Sequence, residues 1–132
     1  MIKEIAAFVA SKAGLTVGVD LYVGWWPQDK PDACDLIAEY GGLPSFDLPG
    51  RFEAAIQITS RAKTYQPARA RSYAIYEAIC LTTLWVIPAI TSGGRAYEAT
   101  IEANNIPQYL GEDDKSRHEF VVNLLLHTKR TA

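Results

Sequence analysis

The sequence predicts one α+β domain: a mainly antiparallel sheet of about five strands packed against two helices, one N-terminal and one central. Three observations carry that expectation. Apolar residues recur at helical spacing over 2–14 and 64–83, and alternate with polar ones in most of the remaining segments. The order is helix, strands, helix, strands, which suits helices laid on a meandering sheet. The 132 residues show no repeat, low-complexity run or dividing linker, so 1–132 reads as a single domain able to bury its own core.

The first segment, "IKEIAAFVASKAG", places Ile2, Ile5, Ala6 and Val9 on one helical stripe and stops at Gly14. In "LTVGVDLYVG", Val17, Val19, Leu21 and Val23 alternate with Gly18, Asp20 and Tyr22, the pattern of a half-buried strand. Pro27 and Pro31 make "WWPQDKPD" a loop. "ACDLIAEYG" sets Cys34, Leu36, Ala38 and Tyr40 against Asp35, Ile37 and Glu39, and "GGLPSFDLPG" reads as an irregular connection. "RFEAAIQITSRA" turns Phe52, Ala54, Ile56 and Ile58 inward, with Glu53, Gln57, Thr59 and Arg61 outward. Three strands joined by such loops predict an antiparallel meander.

The period then changes. "TYQPARARSYAIYEAICLTT" places Ala68, Ser72, Ile75, Tyr76 and Ile79 at helical intervals, with Pro67 in the first turn. "LWVIPAI" is a short edge strand, because Pro88 has no amide hydrogen for a ladder, and "TSGG" a tight reversal. "RAYEATIEA" aligns Tyr97, Ala99, Ile101 and Ala103, and "HEFVVNLLLHT" aligns Phe120, Val122, Leu124 and Leu126. The other face of that last strand, Val121, Asn123, Leu125 and His127, is apolar enough to predict cover on both sides. One continuous core is expected from Phe52, Ile56, Ile58, Ile75, Ile79, Tyr97, Ile101, Phe120, Val122 and Leu124.

Composition narrows the function. The apolar share of 48% and charged share of 21% suit a soluble globular chain. A formal charge of −2 argues against a dedicated nucleic-acid binder, which needs a concentrated basic surface. Cys34 and Cys80 form no metal-type pair and read as two small buried apolar residues in a reducing compartment. The opening residues lack the apolar centre and cleavage site of a secretion signal, and no run reaches the ~20 apolar residues of a membrane span.

The segment "PQYLGEDDKSRHEFVVNLLLH" gathers most of the groups that carry chemistry. Its glycine precedes the acids, so the calcium-loop spacing fails. His118 and His127 lie an odd number of positions apart in one strand and face opposite ways, so they share no metal. Carboxylate pairs drawn from Asp113 and Glu119, or Glu98 and Glu102, have no cleft indicated beside them and read as solvated strand faces. Phosphate loop, dinucleotide fingerprint and nucleophile elbow are all missing, and no base neighbours Cys80 in sequence. No catalytic residue, metal ligand or cofactor follows. What remains is surface. Trp25 and Trp26 either anchor a protein contact or fold back over the core edge. Arg61, Lys63, Arg69 and Arg71 form a solvated face or a charged subunit interface.

Two segments together resemble phage minor capsid proteins of the tail terminator (tail completion) type. In "RFEAAIQITSRAKTYQPARARSYAIYEAI", Gln57 and Arg61 stand where that family carries a strand glutamine and a strand-ending arginine before an alanine-rich helix. Further on, Pro107, Leu110, Gly111, Asp113, Arg117, Phe120 and Asn123 match its pattern ahead of the final strand, with Asp114 where the family more often has glutamate. The resemblance covers chiefly residues 51–128. It implies a structural virion protein without a cofactor, assembled in the host cytoplasm as a ring, typically a hexamer. Such a ring sits on the head-proximal end of the tail, between the tail tube protein and the head–tail connector protein, with no membrane partner and no sequence-specific nucleic acid. It also implies an assembly surface drawn from Trp25, Trp26, Arg61, Lys63, Arg69, Asp113, Asp114 and Arg117. Gly111 then supplies a bend, with Asp113 and Arg117 paired inside the loop or across subunits. A head–tail connector or neck protein is the alternative within the same class. A nucleic-acid- or ligand-binding module using Trp25, Trp26 and the arginine face is the alternative from another. A small hydrolase is disfavoured for want of a nucleophile–base arrangement.

Overall fold

A computed structural model describes residues 2–26, 32–44, 51–80, 85–87 and 96–130. Helix α1 spans Ile2–Ala13, followed by strands β1 (Leu21–Val23), β2 (Cys34–Pro44) and β3 (Arg51–Ala62). Helix α2 (Tyr65–Cys80) precedes β4 (Trp85–Ile87), β5 (Tyr97–Ala103), β6 (Gln108–Glu112) and β7 (His118–Arg130). Both helices lie where their periodicity puts them. Ile5, Ala6 and Val9 of α1 are buried, as are Ala68, Ser72, Ile75 and Ile79 of α2.

The sheet corrects the expected five-strand antiparallel meander. It has seven strands in the order β1-β2-β3-β7-β5-β4, with β6 also paired to β7, and it curls into a half-barrel. It is mixed, because β1 runs parallel to β2 through Leu21↔Asp35 and Val23↔Ile37. Parallel neighbours need a connection that returns the chain to the same end of the sheet, and its described ends are residues 24–26 and 32–33. Strand β3 pairs antiparallel with β2 on one side and along its whole length with β7 on the other. The far side of β7 is shared by two strands, with β5 beside residues 124–130 and β6 beside 118–121. Strand β6 escaped the alternation test because four of its five residues are exposed, leaving no buried face to show.

Two local readings also change. The expected strand over 15–24 shrinks to Leu21–Val23, since Thr16–Asp20 form a turn: Thr16 O accepts from the Val19 and Asp20 amides, both at 3.1 Å. Gly18, at φ +88°, makes that turn available, and Val17 and Val19 are left exposed. In β2 the alternation left the buried face open, and the structure puts Ile37 in the core and Tyr40 in solvent. The segment read as irregular after Tyr40 carries the strand to Pro44 across a bulge between Glu39 and Gly42, while 45–50 lie outside the described residues. Pro88 and "TSGG" fall outside them too.

The main core joins α1, α2 and the inner faces of β3, β5 and β7: Val9, Ile75, Ile79, Ile56, Ile58, Ile101, Val122 and Leu124 are all within it. Phe120 is not. It forms a separate small cluster with Ala62 and Ala68, because β3 and β7 extend beyond the main core under the start of α2. Helix α1 touches β1, β2 and β4, so it bridges the outermost strands of the curl. Phe8 meets Trp85 edge-on at 4.9 Å, with Lys12 Nζ 4.8 Å above the indole. Cover on both sheet faces holds at one end only: Val121 and Thr59 are buried on the outer face, while His127 and Glu102 on that same face are exposed.

Candidate functional site

The strand-ending Arg61 sits where alternation points it outward, yet it is 2% exposed. Its guanidinium lies 4.2 Å from the Trp26 ring. It donates through Nη2 to Cys34 Sγ at 3.1 Å and through Nε to the Asp32 carbonyl at 3.3 Å. Trp26 and Asp32, the described ends of the β1–β2 connection, therefore meet on the outer face at this end, with Arg61 as the group they close on. A guanidinium suits the task, because its planar face stacks on indole while its edge donates several hydrogen bonds. Burial pushes the Cys34 thiol up, against the pull of Arg61, which is the reverse of what a nucleophile needs.

Asp32 also receives the second arginine. Arg117 Nη1 stands 3.5 Å from its carboxylate, while Arg117 Nε donates to Asp113 Oδ2 at 2.7 Å. Asp113 is the hub of the β6–β7 turn. Its Oδ1 accepts from the Lys115 and Arg117 amides at 2.9 and 2.8 Å, and its own amide donates to Arg117 O at 2.9 Å. Desolvation pushes the Asp113 carboxyl up, but these hydrogen bonds and the Arg117 charge outweigh it and hold the carboxyl below its usual range. Glu119, across the ladder from Arg61, moves the other way, raised first by burial and then by the Asp113 charge.

The acidic segment is thus a hairpin with an ion-paired turn. Gly111 does not make its bend. At φ +110° it serves the bulge within β6, while the reversal falls on Asp113–Arg117 with Ser116 at φ 59°.

Of the sequence-derived surface residues, the structure brings together Trp26, Arg61, Asp113 and Arg117. Trp25 lies beside them in sequence, its side chain exposed. Lys63, Arg69 and Asp114 are exposed outside that contact network, and Arg69 stacks at 4.2 Å on Tyr73. Arg71 leaves the supposed basic face to pair at 2.7 Å with buried Asp35, whose carboxyl is raised by burial and drawn back by Arg71. His118 and His127 do occupy opposite faces. His118 contacts the Tyr109 hydroxyl at 2.8 Å and Glu112 at 3.5 Å, whereas His127 lies between Glu53 and Glu102 at 3.4 and 3.1 Å.

Asp32 and Asn105 escaped the sequence reading. Asn105 fills the gap where β5 and β6 diverge along β7, donating to Val121 O at 3.1 Å and accepting from the Asn123 amide at 3.0 Å. Its only advance signal was the Asn-Asn pair before Pro107, which marks a turn and says nothing of what the side chain bonds.

Among the described residues, no group of three or more His, Cys, Asp or Glu side chains is disposed to hold a metal ion, and no helix is long and apolar enough to cross a membrane. Arg61 and Arg117 thus fix Trp26 and Asp32 at one end of the sheet, beside the exposed Trp25. The family model for the bacteriophage tail terminator protein matches residues 8–130, nearly the whole chain, and the protein belongs to that family. It is therefore a structural component of a virion tail. No curated protein matches the sequence.

Proposed function

We propose that this protein closes the head-proximal end of a phage tail tube as a ring, of six copies by the family resemblance, and forms part of the joint to the head–tail connector. Membership of the tail terminator family over residues 8–130 carries the reading. The clamped loop supports it. Arg61 and Arg117 hold Asp32, and Arg61 holds Trp26, against the sheet, so Trp25 is offered beside a braced support.

The physical requirement is asymmetry. A tube made of stacked identical rings offers the same surface after each added layer, and only a subunit that fits that surface on one side and differs on the other ends growth. An α+β subunit with unlike sheet edges and loops meets it. Particles made without the protein should contain heads beside unattached tails, some of them overlong. Purified protein added during assembly should restore tail length and joining, whereas addition afterwards should not shorten tails already overgrown. Normal-length tails joined to heads without it overturn the reading.

A further inference from the structure

Seven of the nine large apolar side chains exposed among the described residues fall in two groups, with Tyr40 on β2 and Val86 on β4 standing apart. Tyr65, Ile106, Tyr109 and Leu110, each 40–63% exposed, gather on and around β6. Val17, Val19 and Trp25, each 46–69% exposed, flank β1. These two groups mark the ends of a single row across the sheet. Tyr22 pairs with Leu36, Leu36 with Thr59, Thr59 with Val121 and Val121 with Gln108, so the row runs β1-β2-β3-β7-β6. No described strand pairs with the outer side of β6, and the Val17–Leu21 bridge makes the 16–20 turn the outermost piece at the β1 end.

We propose that the β6 edge of one copy, centred on Ile106, Tyr109 and Leu110, docks on the β1 edge of the next, centred on Val17, Val19 and Trp25. The contact is head-to-tail and closes into a ring. This rests on the terminator reading above and names the surfaces its ring would use.

The area supports a second copy as the occupant. At ordinary residue sizes, the exposed fractions leave roughly 400 Å² of these residues at the β6 edge and roughly 350 Å² at the β1 edge. With the neighbouring residues along each edge, joining the two buries on the order of 1,000 Å² in all. That meets the ~1,000 Å² that a specific contact between proteins should clear. Each edge alone falls well short. A partner of another kind needs one apolar patch, whereas two of matched size at opposite ends of one row are what a repeating contact between identical subunits requires. A lone edge strand bearing Tyr109 and Leu110 is also a liability that pairing removes.

The test uses the full chain, with mass read by light scattering and fold by circular dichroism. Wild-type protein at its highest soluble concentration should give the mass of a ring. Leu110→Glu and Val19→Glu should each melt like wild type, since both positions are exposed, and each should fall to the monomer mass. Mixed, the two variants should form a pair of one copy each, because one retains a sound β6 edge and the other a sound β1 edge. A monomeric wild type, a ring unaffected by either substitution, or a mixture that yields no pair overturns the proposal. Tail-length micrographs separate it from the terminator reading. Rings that end tails but ignore both substitutions sink the edge contact alone. Substitutions that dissociate the ring and pair on mixing, yet leave tail length and joining normal, sink the terminator reading alone.

Discussion

Replacing Arg61 with alanine removes the group on which the β1–β2 connection closes. The side chain is 2% exposed, so little water is available to repair what it leaves. Its charged hydrogen bond to the Asp32 carbonyl contributes about 1.5–3 kcal/mol, and a largely desolvated stack on Trp26 about 1–2 kcal/mol. The arginine stem also fills space beside Cys34, where truncation costs packing as well. Together these predict a loss of about 3–5 kcal/mol, the size seen when one partner of a buried charged contact is removed. At ~3 °C per kcal/mol for a domain of this length, the melting temperature should fall by roughly 10–15 °C. Trp26 should move toward water and shift the tryptophan emission to the red. Arg61→Lys keeps the charge but not the planar fork, so it should recover less than half of the loss. A cost below ~1 kcal/mol with unchanged emission refutes the clamp, because a solvated surface arginine loses no more than that.

Asn105→Ala should cost about 1–3 kcal/mol by stranding the Asn123 amide and the Val121 carbonyl at the fork, with faster hydrogen exchange at Asn123 as the local readout. Protection of that amide equal to wild type counts against the assignment. Asp113, whose folded carboxyl lies below its usual range, adds stability above the ordinary carboxylate range that disappears as pH falls through its lower folded value. Asp113→Asn should therefore be the less stable protein at neutral pH, and its melting temperature should converge with wild type in acid. Asp35, raised by burial, acts with the opposite sign, contributing in acid and losing that contribution as pH rises through its raised value; it is present in both proteins and drops out of the comparison.

The elements that the sequence determined by itself are those whose burial repeats with a local period. Helices α1 and α2 bury Ile5, Val9, Ile75 and Ile79 at helical spacing, and β3 and β7 bury Ile56, Ile58, Val122 and Leu124 at alternate positions. Each pattern is written within a dozen residues, so a sequence alone displays it. The family pattern around Arg61 and Arg117 was legible for a different reason: it is a match of residue types in order, and it identified the protein without showing what either arginine does.

The tertiary structure decided the rest. Valines at 17 and 19 continue an alternating run, but the glycine between them allows a turn, and the face they would have buried is absent. Strand β6 has no local signature because what defines it is an edge of β7 supplied from ten residues further along the chain. Arg61 reads as a solvated strand residue because its outer face is closed by a connection some thirty residues earlier, through Asp32 and Trp26. The parallel join of β1 to β2 follows from the same connection. Periodicity records whether a residue is covered and not what covers it. Wherever the cover comes from a loop, a fork or a strand without a buried face of its own, only the folded chain holds the information.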